Sequence, residues 1–264
     1  MTTSPFALES DSSGPFAGVV VIRLEQAGRS VVVLDEALIR RLEATLKALP
    51  RNSVGLVLAS ASERVFVAGA DLKTIVELDD PQLDRYLAYG QRVFGMLARL
   101  PFPTAAAIGG AALGGGLELA MHCDGLVACP AVSGKPYPVG LPEAGLSICP
   151  GWGGTNLLPA RMDPSEAIRR TATGATMPVE EARSAGVFDA FATSPEELLP
   201  TAKRWIIDRA REGRAERDDA PSRWIGRPAL AARCLRALDA CRDELAPTGS
   251  SAAVLDAINA GLTQ

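Results

Sequence analysis

Histidine is almost missing from this chain of 264 residues: His122 is the sole one. A multi-histidine metal centre is thereby excluded, and any Ser-His-Asp triad would depend on that one ring. His122 sits in the apolar helical stretch Leu119-Ala120-Met121-His122-Cys123, which gives it a packing role. The five cysteines are odd in number and show no CxxC spacing, so neither a disulfide framework nor a zinc knuckle is indicated, and no metal site is expected. An excess of positive charge is also lacking. The formal net charge of −4 argues against a general electrostatic grip on nucleic acid or an anionic membrane surface. No apolar run reaches the roughly 18 residues of a membrane span, and the start MTTSPFALESDSSG lacks the basic and apolar regions of a secretory signal. A cytoplasmic protein is expected. Absent too are the GxSxG elbow, the Walker loop and the GxGxxG fingerprint.

What is present is a 47% hydrophobic chain, enough for one large core with or without a helical appendage. Residues 1–16, rich in Ser, Pro and Asp, read as a loose tail. The β-branched runs Val19–Ile22 and Val31–Leu34 read as two adjacent strands. Asp35 suits a helix N-cap, with Leu38, Ile39, Leu42, Leu46 and Leu49 recurring at three-to-four spacing behind it. Val54–Leu58 reads as a buried strand, 81–100 as a long amphipathic helix, and Thr104–Ile108 as a strand. A small-residue loop, Gly109–Gly116, then leads into a helix over 117–122. Alternation of this kind defines an α/β core over 17–192. Beyond it, 193–264 reads as helical, with helices near 195–211, 228–244 and 250–261 and a charged connector between Arg209 and Pro228.

Three segments carry chemistry. In Phe66-Val67-Ala68-Gly69-Ala70-Asp71-Leu72-Lys73, small residues after a strand allow close backbone approach and leave amide N–H groups as donors, although a plain tight turn has the same composition. In Ala111-Ala112-Leu113-Gly114-Gly115-Gly116-Leu117-Glu118, three glycines open a helix whose unpaired amides could stabilise an enolate or phosphate oxygen. The third, Gly140-Leu141-Pro142-Glu143-Ala144-Gly145, continues to Cys149-Pro150-Gly151-Trp152-Gly153-Gly154-Thr155 and sets Glu143 in a rigid turn where a carboxylate can be aimed. Either glutamate taken alone reads equally as a surface or capping residue.

In order, spacing and composition these segments resemble the crotonase (enoyl-CoA hydratase/isomerase) superfamily over residues 18–192. The resemblance implies a spiral of ββα units with a C-terminal helical region, usually a homotrimer or a dimer of trimers. It implies an acyl-CoA thioester substrate, with coenzyme A entering as part of that substrate and no separate cofactor. By motif matching, the amides of Ala70 and Gly115 form an oxyanion hole. Glu118 activates water and Glu143 protonates C2 of a 2-enoyl thioester. Ala68, Gly69, Asp71, Leu72, Lys73, Gly114, Pro142, Trp152 and Gly153 fall at substrate- or coenzyme-binding positions, with Lys73 near the phosphates. Between Glu118 and Glu143 the chain is about five residues longer than the family pattern, in the stretch 130–138, which opens the shape of the acyl pocket. After Ala192 it resembles the helical tail of multifunctional fatty-acid oxidation subunits, which implies either a stand-alone relative of that domain or a partner subunit that completes it.

Both glutamates together favour hydration of a trans-2-enoyl-CoA. A Δ3,Δ2-enoyl-CoA isomerase needs one base only, for which Glu143 would serve. A non-catalytic acyl-CoA-binding scaffold would keep the fold without turnover, and fold resemblance alone does not separate these.

Overall fold

The computed structural model describes residues 4–212, 228–245 and 248–263. The first sheet contains β1 (Leu8–Ser10), β2 (Val19–Leu24), β3 (Gly55–Ser60), β5 (Thr104–Ile108), β7 (Gly125–Ala128) and β10 (Ala190–Phe191), hydrogen-bonded in that order. All its pairings are parallel except β1 with β2. The second sheet contains β4 (Val65–Val67), β6 (Ala111–Leu113), β8 (Pro138–Gly140) and β9 (Thr176–Pro178), with only β8–β9 antiparallel. The helices are α1 (Glu36–Lys47), α2 (Leu72–Glu77), α3 (Asp80–Ala98), α4 (Gly115–Met121), α5 (Gly154–Arg161), α6 (Pro164–Thr173), α7 (Val179–Ser184), α8 (Leu198–Arg211), α9 (Pro228–Glu244) and α10 (Gly249–Thr263).

The continuous apolar runs of the first sheet follow from burial on both faces. Along β2, Val20, Ile22 and Leu24 enter the main core, while Val19 and Val21 face the other way and pack with Val57, Ala105, Val127 and Ile206 of α8. On the main-core side α1 buries Leu38, Ile39, Leu42 and Leu46, each worth about 1.5–3 kcal/mol. Asp35 caps α1 by accepting from Leu38 N at 2.8 Å, and its other oxygen accepts from Gln26 Nε2. At the start of α3, Asp79 and Gln82 close a reciprocal capping box.

Three successive passes, β3–β4, β5–β6 and β7–β8, each run from the first sheet to the second. Because β4, β6 and β8 lie side by side, whatever follows each strand is brought to one place. Those followers are the Gly69–Ala70 segment, the Gly114–Gly115 start of α4, and Pro142–Glu143 at a 3-10 turn (Glu143–Leu146).

Four features differ from the sequence reading. Residues 1–16 are not loose throughout: Phe6 is buried, its amide donates to Thr45 Oγ1 at 2.8 Å, and Leu8–Ser10 pairs with β2. Val31–Leu34 forms no strand. It makes only a bridge, Leu34 to Ala70, because its neighbours are the loop after β4 and not a strand edge. The Gly109–Gly116 loop contains β6, whose alanines are small enough to sit between β4 and β8. Helix α2 was not expected; it buries no residue, so no apolar periodicity marks it. Helices α8, α9 and α10 lie where helices were expected, while most of the charged connector, residues 213–227, lies outside the described residues. No described helix is long and apolar enough to cross a membrane.

Candidate active site

Glu118 lies on the first turn of α4 and is 1% exposed. Its Oε1 accepts from Trp152 N and from Gly154 N, both at 2.8 Å. Its Oε2 is buried and has no protein partner. The CPGWGG turn can fold onto the carboxylate because Gly154 lacks a Cβ, which would lie 2.9 Å from Glu118 Cγ and 3.0 Å from Oε1. Burial raises the Glu118 pKa above the ordinary carboxylate range, and the amides of Gly154, Trp152 and Gly151 oppose the rise.

Glu143 opens the 3-10 turn and is 8% exposed. Its Oε1 lies 2.6 Å from where a Cβ on Gly114 would stand, so the carboxyl rests on the residue that begins the helix of Glu118. Its Oε2 is also buried without a partner. Burial first, and then the charge of Glu118, raise its pKa, opposed only by its own backbone amide. Two buried, unpartnered carboxyl oxygens are costly unless a water, a proton or a ligand serves them.

The two main-chain donors singled out from the sequence belong to Ala70 and Gly115. In the bridge to Ala70, Leu34 uses both of its own groups: its N–H donates to Gly69 O at 2.8 Å and its carbonyl accepts from Asp71 N at 3.1 Å. Ala70 N–H therefore points away from the bridge. Gly115 N–H is the first amide of α4 and has no intrahelical acceptor. The two segments touch: a Cβ on Gly69 would lie 3.2 Å from Leu113 O and 3.9 Å from Gly115 N.

The other residues singled out from the sequence fall into two groups. Gly69, Gly114 and Gly153 adopt positive φ of 104°, 53° and 101°, which glycine allows. Pro142 is half-buried beside Glu143, and its carbonyl accepts from Gly145 N at 3.0 Å. Trp152 is 2% exposed and contributes its backbone; its ring lies on Gly115 and Gly90 and meets Tyr86 and Phe94 edge-on, with centroids at 5.4 and 5.3 Å. Ala68 is exposed, and its amide donates to Val32 O at 2.9 Å. Asp71 caps α2 and pairs with Arg29 at 3.4 Å, while Leu72 and Lys73 project from α2 into solvent. His122 packs as expected: it is buried and bonds Trp152 O through Nε2 at 2.9 Å. Among the described residues no cluster of His, Cys, Asp and Glu could hold a metal.

Sequence reading missed the main-chain donors Trp152 N and Gly154 N, because a backbone amide carries no residue signature. It also missed Tyr86, whose hydroxyl donates to Leu34 O at 2.9 Å and so supports the Ala70 bridge. The long stretch 130–138 ends at the first residue of β8. It runs beside Glu63, Arg64, Gly109 and Gly110, anchored by the Tyr137 hydroxyl on Ile108 O and Cys129 O.

The ββα spiral is a crotonase-type fold. The chain belongs to the enoyl-CoA hydratase/isomerase family, whose model matches residues 16–217. Crotonyl-CoA hydratase of Syntrophomonas wolfei is 38% identical over 149 residues, 56% of this chain and 55% of that protein. The fatty acid oxidation complex subunit alpha of Vibrio cholerae is 34% identical over 199 residues, 74% of this chain and 28% of that one. The chain thus matches less than two thirds of either relative's length. Among solved structures, enoyl-CoA hydratase from Bacillus anthracis has 26% identity and a TM-score of 0.67, over 96% of this chain and 90% of that one. The structural likeness therefore takes in the C-terminal helices.

Proposed function

We propose that the protein hydrates the double bond of a trans-2-enoyl-CoA by syn addition of water. The observation that carries this reading is the pair of buried, unpartnered oxygens, Glu118 Oε2 and Glu143 Oε2, on carboxyls near enough for the charge of Glu118 to raise the pKa of Glu143. Hydration needs two proton-handling groups on one face of the substrate: one takes a proton from water as it attacks C3, the other gives a proton to C2.

The environments divide the roles. Glu118 receives two main-chain N–H bonds on Oε1, which favour its anion and suit it to activate water. Glu143 has only its own backbone amide in that role and feels the charge of Glu118, which favours its protonated form and suits it to protonate C2. The two titrate as a pair. The amides of Ala70 and Gly115 would hold the thioester oxygen as negative charge develops there, a contribution of about 3–4 kcal/mol per donor. The acyl-CoA is itself the substrate and the proposed chemistry uses no further cofactor. A homotrimer or dimer of trimers, and a cytoplasmic location, accompany this reading as expectations.

The test is the absorbance of the conjugated thioester when the protein meets crotonyl-CoA, a longer trans-2-enoyl-CoA and a 3-enoyl-CoA. Loss with either 2-enoyl substrate, dependent on Glu118 and Glu143, is expected. A gain from the 3-enoyl substrate alone would make the protein an isomerase, and coenzyme A binding without any change would make it a scaffold.

A further inference from the structure

Helix α10 reaches both halves of the carboxylate pair. At its N-terminal end, Ser250 Oγ donates to Ala144 O at 2.9 Å, across 106 positions of sequence. Ala144 directly follows Glu143, and its carbonyl also accepts from Ser147 N at 3.2 Å. The turn that carries Glu143 ends at Ser147, which has the one positive φ of any described non-glycine residue, 62°. Such a backbone persists only where its surroundings hold it. About 16 Å further along α10, at ~1.5 Å per residue, Gly261 takes the side chain of Asn156 against its backbone: a Cβ there would lie 2.3 Å from Nδ2. Asn156 belongs to α5, the helix that starts with Gly154, the donor to Glu118.

The hydroxyl of Ser250 is not needed to cap its own helix. Thr248 and Ser251 already do that reciprocally, with Thr248 N donating to Ser251 Oγ at 2.9 Å and Ser251 N to Thr248 Oγ1 at 3.1 Å. Between its two ends α10 is fixed by Val254, Leu255 and Ile258, buried against Ile168 and Ala172 of α6 and Leu238 and Cys241 of α9.

We propose that Ser250 is a positioning residue for Glu143, and that α10 is a strut that sets the placement of Glu143 relative to Glu118. This rests on the hydration reading. Without the Ser250 hydroxyl, the strained turn loses its hydrogen bond to α10 and Glu143 drifts from the C2 position while the amides of Ala70 and Gly115 stay in place.

The experiment compares wild type, Ser250→Ala and Ser250→Thr in crotonyl-CoA hydration, and in the isotope-edited infrared band of the Glu143 carboxyl, assigned by its loss in Glu143→Gln. Ser250→Ala is expected to lower kcat about tenfold, as small misplacements of reacting groups do, with KM nearly unchanged and the band shifted. Threonine keeps the hydroxyl and restores both. Wild-type kcat and an unmoved band in Ser250→Ala, whatever its melting temperature, would overturn the proposal. Should the wild-type protein fail to hydrate crotonyl-CoA, the hydration reading falls, and the infrared band alone decides the strut: a shift supports it and an unmoved band overturns it.

Discussion

The carboxyl of Glu143 rests on Gly114, with Oε1 2.6 Å from where a Cβ on that glycine would stand. Gly114 also holds φ 53°, ψ −130°, a conformation that side chains strongly disfavour. Gly114→Ala should therefore displace Glu143 and strain the entry to α4. Steady-state kinetics should show kcat lower by about 100-fold or more, and denaturant melts a loss of about 1–3 kcal/mol.

Glu143→Gln keeps the shape of the side chain and removes its proton chemistry. Hydration should fall by about 10²–10⁴-fold while calorimetric binding of coenzyme A stays within a few-fold of wild type. Retained turnover would remove Glu143 from the proton-donor role.

Stability should carry the mark of the buried pair. Both carboxyls have pKa values raised in the folded state, Glu118 by burial and Glu143 by burial and the charge of Glu118. The folded protein then binds more protons than the unfolded chain from the ordinary glutamate value, about 4.3, upward. That contribution is fully present below this value and is lost as pH rises through the folded pKa values. The melting temperature of wild type should consequently fall relative to Glu143→Gln as pH rises across this window, and a constant difference would speak against raised pKa values.

Two glycines in α3 separate packing from propensity. Gly95 has nothing within 4 Å of a would-be Cβ, so Gly95→Ala should stabilise by about 0.5–1 kcal/mol, the ordinary helical gain. A Cβ on Gly90 would meet Trp152 Nε1 at 2.3 Å. Gly90→Ala should reverse the sign, and because Trp152 N holds Glu118, it should also lower kcat. Thermal melts and kinetics on the pair check both signs.

Elements with a strong local signature were legible in the sequence. The apolar spacing behind Asp35 gave α1 and its cap, and Thr104–Ile108 is β5 residue for residue. Glu118 and Glu143 were reached through the motifs around them, and each is buried with an unpartnered Oε2. Illegible were features set by tertiary context. Val31–Leu34 has strand composition but meets a loop, and α2 has no buried face to pattern. β6 is only Ala-Ala-Leu between runs of glycines. The groups that hold the carboxylates are main-chain amides 34 and 36 positions from Glu118 and a serine 106 positions from Ala144, separations that no local pattern encodes.

The most direct measurement is the fate of solvent oxygen. Incubated with crotonyl-CoA in ¹⁸O-water, the wild-type protein is predicted to give a 3-hydroxyacyl-CoA carrying ¹⁸O at C3, with formation abolished in Glu118→Gln and Glu143→Gln. Unchanged crotonyl-CoA, or a shifted double bond with no ¹⁸O in the product, would contradict the account.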